Sequence, residues 1–196
     1  MVKYIIETLK QNCLPFIENL KECKKGSLLI RAICDIEGDK RNKYNVKTNF
    51  SINEFDHTPE LRSRIPRGMP VEIHLALNDK FIKQFGWKVR NGIFCYGVDG
   101  TFYIEDVNKW GTNYLVFPIG EFKFVYSPDD YDLTESAKKD DFSVENVKYI
   151  DDNLCKAINL RDKSKVKSNE IIIKADSYFL INLKYANDII EMIWGK

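Results

Sequence analysis

Histidine is nearly missing from this chain: His57 and His74 are the only two in 196 residues. His74 falls on the apolar face of an expected helix and His57 sits in the turn-like EFDHTP, so histidine general-base hydrolysis is disfavoured. The HExxH, GxSxG, GxGxxG and P-loop signatures are also lacking, which removes the commonest metalloprotease, hydrolase, dinucleotide-fold and Walker-type readings. Net charge is close to nil. Thirty basic against twenty-nine acidic side chains leave +1, which argues against a surface that coats nucleic acid everywhere but leaves room for a local basic cleft. No apolar run approaches the roughly 18 residues of a membrane helix, and MVKYIIETLKQN lacks a signal-peptide core. The five cysteines, Cys13, Cys23, Cys34, Cys95 and Cys155, are odd in number, scattered, and without a CxxC pair. That usage predicts neither a disulfide framework nor a zinc site, and points to a reducing, cytoplasmic protein with no metal and no membrane partner.

What is present is globular. Hydrophobic residues reach 44% and aromatics 13%, enough to build one domain over residues 1–196 with residues 1–26 as an N-terminal helical segment. Ile5, Ile6, Leu9, Cys13, Phe16, Ile17 and Leu20 fall on one helical stripe that Pro15 should split, and Gly26 offers a stop. The run 27–36 reads as a buried strand. PVEIHLALNDKFIKQFG reads as a helix with Pro70 at its first turn and Gly86 at its end. GIFCYG is a short strand, YLVFPIGEFKFVYS a hairpin turning at ProIleGly, and SPDDYDLTESAKKDD a surface loop. A helix over about 143–160, two strands at EIIIK and YFLIN, and a closing helix at YANDIIEMIW complete the pattern. Helices and strands are mixed without a βαβ beat, so the predicted class is α+β.

Two charged residues in apolar settings stand out. Arg31 interrupts SLLIRAIC, where a strand arginine either lines a cleft or meets an anion. Glu170 opens the apolar strand EIIIK directly behind the basic run RDKSKVK. Taken singly, each has a plainer reading: an edge-strand arginine paired with a carboxylate, an exposed strand start, and lysines 163, 165 and 167 on a solvated loop.

Taken in order, these pieces resemble the ADP-ribosyltransferases of the arginine-serine-glutamate class, especially divergent members from phages and bacterial toxin systems. The resemblance spans about residues 27–182. It rests on LLIRAI, GIFCYG and the glutamate of NEIIIK, with RIPRGMP, QFGW, WGTNYLVFPIG and FKFVYSP around them. It implies a split β-sheet core flanked by helices, NAD as co-substrate, and Glu170 as the catalytic carboxylate. It also implies NAD contacts from Arg31, Arg64, Arg67, Phe94, Cys95 and Tyr96. Cys95, Tyr96 and Gly97 stand where the family carries Ser-Thr-Ser. Ser168 stands where the family often has a first glutamate serving arginine modification, so a protein-arginine target is disfavoured.

The chemistry implied is cleavage of the ribose–nicotinamide bond through an oxocarbenium-like state, stabilised by the Glu170 carboxylate, with Arg31 holding phosphate. Arg161, Lys163, Lys165, Lys167 and Ser168 lie where the family selects its acceptor, and their charge favours an RNA or DNA base. The expectation is a toxin or phage-conflict effector, with an antitoxin or other inhibitory protein as a further partner. A protein acceptor, an NAD glycohydrolase and a catalytically inactive binding or virion module are the alternatives.

Overall fold

Pro15 divides the first helical stripe as its ring requires. In the computed structural model, which describes residues 2–33, 50–54, 69–99, 112–129, 133–162 and 167–195, Val2–Asn12 form α1 and Leu14–Lys21 form α2. Pro15 occupies the first turn of α2, where a missing N–H breaks no helical bond. Phe16 of α2 meets Phe117 and Phe122 edge-on, with ring centroids 5.3 Å away in both cases. The chain continues through β1 (Ser27–Ile33), β2 (Phe50–Glu54), α3 (Val71–Phe85) and β3 (Ile93–Asp99). After these come β4 (Thr112–Tyr126), α4 (Leu133–Ser136), α5 (Leu154–Asn159), β5 (Arg161–Asp162), β6 (Lys167–Ser168), β7 (Glu170–Asn182) and α6 (Ala186–Trp194). The class is α+β, as the pattern predicted.

Three expectations about elements are corrected. YLVFPIGEFKFVYS is no hairpin: it lies within the single strand β4, because β7 runs beside it on both sides of ProIleGly. Gly120, at φ 67°, takes up the register shift between Ile119 and Phe122 as a bulge, a conformation that a side chain would resist. EIIIK and YFLIN are one strand for the same reason, each length of β7 having β4 as its partner. The helix expected over 143–160 shrinks to α5. Ile150 instead bridges Tyr126 through two backbone hydrogen bonds of 2.9 and 3.0 Å, and Asn153 then caps α5 by accepting from the Lys156 N–H at 2.8 Å.

The sheet closes on itself. β3 pairs with β1 and with β7, and β4 pairs with the same two strands, all antiparallel. β2 pairs with the later half of β7, opposite Ser177–Ile181. Side-chain alternation along β7 then feeds two cores. Ile171 and Ile173 enter one with α1, α2, α5 and α6, while Ile172 enters the other with Leu77 and Phe81 of α3 and Leu133 of α4. Leu133 is therefore a buried anchor inside the acidic stretch expected to be a surface loop. Close packing of α5 on β3 depends on Gly97: a Cβ there would lie 2.2 Å from the Ile158 carbonyl oxygen.

The cysteine expectation is also corrected. Cys23, just after α2, is bonded to Cys155 in α5, with Cα atoms 5.0 Å apart and a sequence separation of 132. Linear spacing could not show this, since the tertiary fold brings the two helices together. The bond takes away the cysteine-based argument for a reducing compartment. No described helix is long and apolar enough to cross a membrane.

Candidate functional site

Glu170 begins β7 opposite Tyr96 of β3, and Tyr96 in turn lies opposite Ile30 of β1. Residues two apart on a strand share a face, so Glu170 projects with Ile172 toward the α3 side. The carboxylate is buried there, its side chain 6% exposed, against an equally buried arginine that sequence reading did not select. Arg90 Nη1 donates to Glu170 Oε1 at 2.6 Å. The Tyr149 hydroxyl donates to the same oxygen at 2.5 Å. Among the described residues no hydrogen bond or ion pair reaches Oε2.

Each partner is itself held. Arg90 lies in the single 3-10 turn Val89–Asn91 that joins α3 to β3, and its backbone N–H donates to Asn78 Oδ1 at 3.0 Å. Its guanidinium sits 4.6 Å from the Phe94 ring centroid, a cation–π stack inside the core. Burial opposes the charge on Arg90, but Glu170 and Tyr149 outweigh it and raise its pKa further above the ordinary arginine value. Its Nε is enclosed with no hydrogen-bond partner among the described residues. Asn78 also donates to Asn91 Oδ1 at 3.3 Å and lies 3.2 Å from His74 Nε2, so His74 is the buried, hydrogen-bonded helix residue that its position predicted. Tyr149 packs edge-on against Phe81 at 4.9 Å. The approach to Glu170 is pinned as well: Asn169 Nδ2 donates to the Ser127 and Pro128 carbonyls at 2.7 and 3.1 Å.

Arg31 is not part of this cluster. It is half-buried, one step beyond Ile30 on β1, and the Cys95 thiol feels its charge. Cys95 is fully buried in the α5-side core, so its side chain offers no surface to nicotinamide. Phe94 and Tyr96 are half-buried; Phe94 packs against the α3-side core with Ile172, and Tyr96, opposite Glu170 in register, packs against the α5-side core. Arg161, Lys167 and Ser168 lie on the β5–β6 hairpin that leads into Glu170. Lys163, Lys165, Arg64 and Arg67 lie outside the described residues. No cluster of three or more His, Cys, Asp or Glu that could hold a metal occurs among the described residues.

Burial pushes both the Cys13 and the Cys95 thiols up to about 12, Arg31 opposing the rise at Cys95. Both folded values are raised, so the stability these protonated thiols contribute is complete below pH 9, where the unfolded chain also keeps its protons. It is lost between pH 9 and about 12. The expected slope is about 1.4 kcal/mol per thiol per pH unit in that window. Urea melts of the wild type and of Cys95→Ala between pH 8 and 11 check it; an equally steep fall in both proteins would refute the assignment to Cys95.

Arg90 carried no sequence signal that separates it from any other arginine before a strand. In WKVRNGIF it precedes an apolar run, as surface arginines often do. Compared with protein-family models, curated proteins and solved structures, the chain matches none of them.

Proposed function

We propose that the protein is an NAD-dependent ADP-ribosyltransferase with the split-sheet core of that class, transferring ADP-ribose to a nucleic acid base and releasing nicotinamide. The observation that carries this reading is the one-sided anchoring of Glu170. Both donors converge on Oε1, which fixes the carboxylate in orientation while no described group occupies Oε2. A rigid carboxylate with one oxygen to spare is suited to accept a sugar hydroxyl and to stabilise positive charge developing on the ribose. Tyr96, directly across from Glu170, is the aromatic surface nearest in register for the nicotinamide ring. The paired strands β5 and β6, which precede Glu170, include Arg161 and Lys167, and that charge favours an anionic acceptor.

A second reading is a binding module without catalysis. It is favoured by Arg90, whose charge already balances the carboxylate. One assay separates the readings. The purified protein is incubated with NAD alone, with RNA, with DNA and with a protein extract, and free nicotinamide and modified macromolecules are quantified. Transfer to nucleic acid supports the first reading. Nicotinamide release without any macromolecule identifies a glycohydrolase, a labelled protein band moves the acceptor to protein, and no release in any mixture leaves the binding module.

A further inference from the structure

Lys80 of α3 is half-buried, and among the described residues it forms no ion pair. Its ammonium instead donates to three backbone carbonyls of one turn, those of Val144, Glu145 and Val147, at 2.9, 2.8 and 2.7 Å. An ammonium has three N–H donors, so the whole donor set is committed to that turn. The turn leads directly to Tyr149. Gln84, one helical turn beyond Lys80, donates to the Tyr149 carbonyl at 3.0 Å, and Phe81 packs on its ring. One face of α3 therefore grips residues 144–149, and the far end of that grip is the hydroxyl seated on Glu170 Oε1.

We propose that Lys80 is a positioning residue for Glu170: by gathering the 144–147 carbonyls it sets where the Tyr149 hydroxyl meets the carboxylate. The inference rests on Glu170 being the working carboxylate of the proposed transfer. A charged side chain that only braced a surface turn would leave the Tyr149 contact untouched. Here the braced turn is two residues from the tyrosine, and the bracing helix also supplies the ring and carbonyl contacts.

The test compares wild type, Lys80→Met, Tyr149→Phe and the double variant. Methionine keeps the stem of Lys80 and removes only its donors. The ring carbon bearing the Tyr149 hydroxyl, followed by NMR in tyrosine-labelled protein and assigned by its loss in Tyr149→Phe, should shift in Lys80→Met. In nicotinamide release each single variant should lower kcat about tenfold to a hundredfold with KM little changed, as small displacements of a catalytic group do. The double variant should be no slower than the worse single one, because the two residues act in series. An unchanged Tyr149 resonance in Lys80→Met, or losses that multiply in the double variant, would overturn the positioning role. If the wild type releases no nicotinamide, the transferase reading fails while the resonance still decides whether Lys80 places Tyr149.

Discussion

Arg90→Met should lower the unfolding free energy by about 3–5 kcal/mol, the usual consequence of removing one member of a buried ion pair. The side chains concerned are 4% and 6% exposed, so water cannot take over the missing partner cheaply. Methionine retains apolar contact with Phe94, and the loss therefore reports the stranded carboxylate more than a cavity. Glu170→Gln should also be destabilising, since it leaves the Arg90 guanidinium enclosed without a counter-charge; activity lost in that variant is interpretable only beside a stability measurement. Arg90→Met combined with Glu170→Met should recover most of the loss, because an apolar replacement of the whole pair strands no charge. Urea denaturation of the wild type, Arg90→Met, Glu170→Met and the double variant measures the cycle. Additive losses of less than about 1 kcal/mol each would mean that the pair is solvated and that the site is not the closed cluster described above.

Breaking the Cys23–Cys155 bond should cost about 2–4 kcal/mol, the common range for a disulfide, with chain entropy alone allowing a little more for so long a loop. The bond closes a sequence separation of 132, a loop that encloses β1 to β4 and leaves β5, β6 and β7 outside it. It ties α2, packed on β4 through Phe16, to α5, packed on β3 at Gly97. Cys155→Ser and reduction of the wild type should give the same lowered melting temperature, and reductant should have no further effect on the variant. Peptide mapping without reductant should recover the two cysteines in one linked fragment. A wild type whose melting is indifferent to reductant, with no linked fragment, would sink the expectation.

Local chemistry made much of the framework legible. Pro15 had to divide the first helix, Gly86 closes α3 in the left-handed conformation expected of its position, and the runs read at 27–36, GIFCYG and YANDIIEMIW contain β1 over its described residues, most of β3, and α6. Long-range pairing overrode local signals elsewhere. ProIleGly reads as a turn in isolation, yet thirteen residues of β7 alongside supply partners on both sides and leave only a bulge. The 143–160 segment has a helical period, yet its middle is worth more to the fold as the Tyr126–Ile150 bridge and the Tyr149 contact than as continued helix.

Glu170 could be picked out from its place between a basic run and an apolar strand, because charge at such a junction is conspicuous along the chain. Its partners could not. Arg90 and Tyr149 lie 80 and 21 residues away, and only the pairing of β3 with β7 and the packing of α3 bring them to one carboxylate oxygen. Residue order therefore determined which groups were charged, apolar or conformationally restricted. The closed strand register alone decided which of them meet, because contact across a sheet depends on alignment between distant segments that no local pattern encodes.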